Sequence, residues 1–133
     1  MNKEIGIIIG GVLSLGLAIF HCSFYNLFHW KKEFDKISII NAKVFMTLHI
    51  GLISLFLFYT FLSFFYTAEL SKCDGLAGII VGFYAFCWLG RTIWQIIYFK
   101  LLGKIKPVFH YILILWFILL FIAYSYPLAI KIF

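Results

Sequence analysis

The sequence predicts an all-α integral membrane protein, a four-helix bundle of up-down-up-down topology with both termini on the non-cytoplasmic side. Three observations carry that expectation. Four apolar runs, 5–28, 44–66, 76–99 and 108–130, are each about 20 residues or longer, enough to cross about 30 Å of hydrocarbon as a helix. Mean hydropathy is +1.07 and only 12% of residues are charged, against about a quarter in soluble domains. The basic residues are unevenly shared: Lys31, Lys32, Lys36 and Lys43 flank the first connection and Lys100, Lys104 and Lys106 the third. The other side has Lys3, Lys72 and Lys131. Short Lys-rich loops stay in the cytoplasm, which fixes the expected orientation.

The first helix is expected at about 4–29. Lys3 ahead of an apolar run invites a signal-peptide reading, but Glu4 weakens the basic start and the run is longer than a normal signal core. No small-residue cleavage site follows, and His21 stands where a lipoprotein signal needs a small residue before Cys22. A permanent helix is expected. The second helix is expected at about 42–67 and the third at about 75–100, opened by Asp74-Gly75 and followed by Gly103. The fourth is expected at about 107–130, with Pro107 in the first turn, where a missing N–H costs nothing. Pro127 marks its fraying end. Short connections at 30–43, 67–74 and 100–106 make successive helices antiparallel neighbours in a single transmembrane domain, 1–133. Barrel strands would be half as long and would alternate polar with apolar residues.

The net charge of +6 sits in these loops, so its expected partner is the bilayer, with anionic headgroups at the basic loops, and not a nucleic acid. A bacterial inner (cytoplasmic) membrane is the expected location. A homo-oligomer or a larger membrane complex is the expected setting for so small a unit. The three cysteines give no disulfide framework. Cys22 and Cys87 read as small buried hydrophobes, and Cys73, in the second connection, as a candidate for an intermolecular bridge.

Small residues crowd one end of the bundle. Gly6, Gly10, Gly11, Ser14 and Gly16 lie in the first half of the first run, and Gly75, Gly78 and Gly82 in the first half of the third. GxxxG spacing lets helix backbones approach closely. The opposite halves carry Phe20, Phe24, Tyr25, Phe28, Trp88 and Trp94. A bundle tight at one end and thick at the other splays toward the basic loops, which predicts a cavity there. The rival expectation is that the glycines join two chains and the aromatic half packs solid.

Polar side chains fall in that aromatic half. His21, Asn26 and His29 lie in the first run, His49 in the second, Arg91 and Gln95 in the third and His110 in the fourth. Each is within about 15 Å of the basic loops at the helical rise. Tyr84, Trp88, Arg91, Gln95 and Tyr98 recur at helical spacing and form one face. In a membrane helix such a face turns inward, because lipid cannot satisfy a guanidinium or an amide; the alternative for Arg91 is to snorkel to the headgroups. No Asp or Glu occurs inside a span. Arg91 therefore has no carboxylate at its depth, and an incoming phosphate or carboxylate suits it.

His21 and His49 are at similar depth on adjacent helices, an arrangement open to axial ligation of haem b or to a transition metal, or to plain hydrogen bonding between helices. His29 beside Trp30 reads as interfacial, and His110 as near the surface. The missing carboxylates argue against an aspartyl protease or a carboxylate-driven proton pump. Serine-hydrolase, P-loop and Rossmann patterns are absent. Histidine acid–base chemistry or electron transfer survives as a possible reaction, and whether this is an enzyme stays open. The arrangement resembles small four-helix cytochrome-b-like membrane proteins in architecture only, which implies a bundle and no particular activity.

The functional expectation is a ligand pocket of His21, His49, Arg91 and Gln95, surrounded by Asn26, Tyr25, Trp88, Tyr98 and His110. Its ligand is expected to be small and anionic or redox-active: haem, quinone or a lipid headgroup. The alternative is a non-catalytic accessory or assembly subunit whose polar residues dock other helices.

Overall fold

The computed structural model describes residues 2–99 and 107–133. In these residues the chain forms seven helices: α1 (Lys3–Cys22), α2 (Phe24–Leu27), α3 (Trp30–Phe34), α4 (Ile39–Phe65), α5 (Thr67–Lys72), α6 (Gly75–Tyr98) and α7 (Pro107–Ile132). There is no strand among the described residues. Four helices, α1, α4, α6 and α7, are long and apolar enough to cross a membrane. The predicted connection at 100–106, with Lys100, Gly103, Lys104 and Lys106, lies outside the described residues.

The ends of the helices follow local chemistry. Asn2 caps α1 by accepting from the Glu4 N–H at 3.4 Å, and Ser38 caps α4 by accepting from the Asn41 N–H at 3.2 Å. Ser38 thus starts the second span about three residues before the sequence suggested. The first span departs more. In place of one helix over 4–29, α1 stops at Cys22 and the chain continues as the short turns α2 and α3. Ser23 tightens the last turn: its hydroxyl donates to the Phe20 carbonyl at 2.6 Å and its N–H to the same oxygen at 3.1 Å. His29 then takes a left-handed φ of 52°, which separates α2 from α3. The connection expected at 67–74 is mostly the helical turn α5.

α1 packs lengthwise on α4 and on α7, and α7 packs on α6. Glycine makes this possible. A Cβ at Gly10 would stand 2.5 Å from the Tyr124 ring, and one at Gly6 would stand 2.8 Å from the Ala123 carbonyl. The GxxxG of α1 is therefore occupied inside the chain, which removes Gly6 and Gly10 from the expected role of joining two chains.

The close approach brings one hydroxyl from each long helix to a common point. Ser14 Oγ lies 3.2 Å from Tyr84 Oη and 3.4 Å from Tyr124 Oη, and Ser63 Oγ lies 2.8 Å from Tyr124 Oη. All four side chains are at most 2% exposed. Buried hydroxyls in hydrocarbon need partners, and these satisfy one another. Tyr59 of α4 stacks on Tyr84 of α6, with ring centroids 3.3 Å apart, and Phe56 lies 5.7 Å from Trp88. Trp116 donates its indole N–H to the Leu13 carbonyl at 3.2 Å.

Beyond this glycine end the loops are tied down. Lys131 donates to the Cys73 carbonyl at 2.7 Å and pairs with the Asp74 carboxylate, which joins α7 to the start of α6. Its ammonium holds the exposed Asp74 carboxyl below the usual carboxylate range. Cys73, expected to be free for an intermolecular bridge, is instead 5% exposed, with its thiol donating to the Leu70 carbonyl at 3.3 Å. Burial pushes that thiol above its ordinary range, away from the reactive thiolate. Cys22 is also corrected: it is exposed where a buried residue was expected, because α1 ends there.

Candidate functional site

The opposite half of the bundle holds the candidate site. Along α6, Trp88, Arg91 and Gln95 fall at i, i+3 and i+7 and share a face that meets Phe117 and His110 of α7, with Phe56 of α4 stacked on Trp88. Trp88 Nε1, Arg91 Nη1 and Gln95 Oε1 are buried without a hydrogen-bond partner. Leaving a buried polar group unmade costs about 1–3 kcal/mol, more for a charged one, so three on one helix face single out this surface. The Arg91 guanidinium lies over two rings, 4.6 Å from the centroid of Phe117 and 5.2 Å from that of Phe99. These contacts give it a cation–π environment, and among the described residues no carboxylate pairs with it.

Two adjoining cavities flank Arg91. The first has a volume of about 340 Å³ and is bounded by Leu17, Phe56, Tyr84, Trp88 and Phe117. The second has a volume of about 290 Å³ and is bounded by Trp30, Phe45, His49, Gln95 and Phe99. His21, Phe24, Leu52, Arg91 and Leu113 line both. Arg91 is the cation at their junction, and ligand sites of such size are ordinarily apolar with a few convergent polar groups. Leu52 and Leu55 of α4 and Cys87 of α6 border the first cavity while remaining partly exposed, so it opens sideways between these helices.

The histidines pair as the sequence suggested, but in a structural role. His21 donates from Nδ1 to the Leu17 carbonyl at 2.8 Å. His49 donates from Nε2 to the His21 carbonyl at 2.9 Å, capping a carbonyl of the last turn of α1 from the neighbouring helix. A carbonyl only accepts, so each ring has one nitrogen engaged as an N–H. The two rings are 5.7 Å apart at 24°, and Phe24 lies against both, 4.3 Å from His21 and 5.6 Å from His49. Two nitrogens beside a phenyl ring are a poor donor set for an ion. Among the described residues no cluster of three or more His, Cys, Asp or Glu is placed to hold a metal. The expected ligation of haem or a transition metal by His21 and His49 finds no support in this arrangement.

Gln95 is fully buried, and its amide Nε2 lies 3.2 Å from His110 Nδ1. His110 therefore holds the amide from α7 and does not itself line either cavity. Tyr25, Asn26 and Tyr98, expected around the pocket, fall outside it. Tyr25 lines a separate groove with Phe34 and Lys43, Asn26 is exposed on α2, and Tyr98 is exposed and stacked on Trp94 at 4.7 Å. The unbroken helix expected over 4–29 would have carried Tyr25 and Asn26 on from His21, and it ends at Cys22. The aromatic lining from Phe24, Phe56, Phe99 and Phe117 was not foreseen as part of the site. An aromatic residue in an all-apolar run offers no contrast to pick it out.

Comparison of the chain with family models, with curated proteins and with solved structures finds no match.

Proposed function

We propose that this chain is a small membrane protein that binds one anionic amphiphile, its apolar tail in the cavity beside Trp88 and its phosphate or carboxylate on Arg91. The observation that carries this reading is the Arg91 guanidinium, with Nη1 buried and unpartnered where two cavities meet. An anionic oxygen there would gain a charge-assisted hydrogen bond and neutralise the guanidinium. The lateral opening between α4 and α6 gives a bilayer ligand its route, and the lining is apolar enough to accept a chain. Among the ligands the sequence suggested, the lipid-like anion is favoured over haem by the donor set.

The setting goes with this reading. Residue pairs across α1 and α7 descend in number, from Gly6 with Ala123 to Gly16 with Trp116 and Phe20 with Phe109, which supports antiparallel helices and an up-down-up-down bundle. The Lys-rich first connection supports a cytoplasmic face at the site end and termini on the other side, in a bacterial inner membrane.

The test is native mass spectrometry of the full chain released from micelles holding equal amounts of phosphatidylglycerol and phosphatidylcholine with the same acyl chains. Retention of one phosphatidylglycerol per chain is expected, by about tenfold or more over the zwitterion. Equal retention of the two would overturn the reading.

A further inference from the structure

Gln95 carries a second requirement. Its side chain is 0% exposed, its Nε2 is held by His110 Nδ1 at 3.2 Å, and its Oε1 is buried on the wall of the second cavity with nothing to accept from. An amide oxygen in that position accepts a hydrogen bond from a donor and repels an anion. Arg91, one turn away, offers the opposite: N–H groups and a charge. The two are separated by about 6 Å along the helix axis.

From this polarity we infer that the ligand headgroup carries a hydroxyl donor set apart from its anionic oxygen, and that Gln95 is the residue that reads it. The inference rests on the binding reading above and names the class of amphiphile within it. Along α6 the order is Tyr84 and Trp88 on the tail cavity, Arg91 at the junction and Gln95 on the far cavity. That order matches an amphiphile laid out as tail, phosphodiester and terminal hydroxyl. Glycerol or another polyol on the phosphate places its hydroxyl several bonds from the anionic oxygens, as a separation of one helical turn requires. A phosphate esterified with a donor-free group satisfies Arg91 and leaves Gln95 Oε1 unpaired. Sites built to hydrogen-bond a ligand hydroxyl discriminate against the analogue lacking it for this reason. His110 acts as a positioning residue, since its contact with Nε2 turns the oxygen to the cavity.

The probe pair is phosphatidylglycerol and phosphatidylmethanol, which share tail, phosphodiester and charge and differ in the headgroup hydroxyls. Native mass spectrometry of the full chain in micelles holding both is expected to show a preference for phosphatidylglycerol of about three- to tenfold, the worth of one hydrogen bond. Gln95→Met is expected to bring the ratio to parity with total anionic lipid still bound. His110→Phe is expected to reduce the ratio without raising the phosphatidylmethanol signal. Equal retention of both lipids by the unaltered protein overturns the Gln95 inference and leaves the anion site standing. Retention of neither overturns the underlying binding reading. A preference that persists in folded Gln95→Met assigns the hydroxyl to another group and also overturns the inference.

Discussion

Arg91→Ala is expected to abolish selective retention of an anionic lipid while leaving the helical fold intact. The loss should be about tenfold to a hundredfold in relative affinity, since hydrogen bonds to a charged group contribute about 1.5–3 kcal/mol. The same change relieves the unliganded protein of a half-buried cation that has no carboxylate beside it among the described residues, a costly arrangement in a low-dielectric surround. Thermal unfolding in lipid-free detergent should therefore rise or stay level in Arg91→Met, which keeps most of the side-chain volume against Phe117 and Phe99. Opposite signs for binding and stability distinguish a ligand-binding cation from a structural one. Arg91→Lys keeps the charge but loses the planar fork, so partial retention is expected. An Arg91→Met protein that melts several degrees lower and binds normally would assign the guanidinium to packing.

Tyr124→Ala is expected to be the most destabilising substitution at the other end. The ring fills the space above Gly10, where an added Cβ would stand 2.5 Å away. Its hydroxyl meets Ser63 at 2.8 Å and Ser14 at 3.4 Å. Truncating a buried aromatic residue costs about 3–5 kcal/mol through lost contacts and the cavity left behind. Two serines fully shielded from solvent also lose a partner. Tyr124→Phe keeps the ring and removes only the hydroxyl, for which about 0.6–1.7 kcal/mol is expected from measured hydrogen bonds between membrane helices. Thermal unfolding in one fixed detergent should rank the unaltered protein above Tyr124→Phe, and that above Tyr124→Ala. A Tyr124→Ala protein as stable as Tyr124→Phe would show that the ring adds nothing to α1 packing.

The parts of the structure that were legible in the sequence are those in which one residue type stands out from its surroundings. Length and hydropathy marked the four spans, because about 30 Å of hydrocarbon requires runs of a given size. Glycines at i and i+4 marked the close approach of α1, although not that its partners lie in the same chain. Trp88, Arg91 and Gln95 were found because polar residues at helical spacing must face inward in lipid. Equal depth brought His21 and His49 together correctly, but depth says nothing of ring orientation, and each ring donates to a carbonyl.

What stayed hidden depends on local breaks and on apolar contacts. One serine bonding back to Phe20 ends α1 at Cys22, and every facing derived from an unbroken helix beyond it, Tyr25 and Asn26 included, then fails. Ser63 and Tyr124 are unremarkable in sequence, and their union with Ser14 and Tyr84 depends on crossings that no single run encodes. Phe24 and Phe117 line the site because of where their helices pack, and phenylalanine is too common here to signal it: the chain has 17.

The central claim, an anionic amphiphile with its tail beside Trp88 and its charge on Arg91, is tested most directly by fluorescence quenching. The full chain has four tryptophans, so the Trp88 contribution is the difference between the unaltered protein and Trp88→Phe. Titration with phosphatidylglycerol brominated midway along its acyl chains is expected to quench that contribution in a saturable, one-to-one manner. Arg91→Ala should remove the saturable phase and leave only the shallow quenching given by brominated phosphatidylcholine. A Trp88 contribution that responds identically to the two brominated lipids, with or without Arg91, would contradict the account.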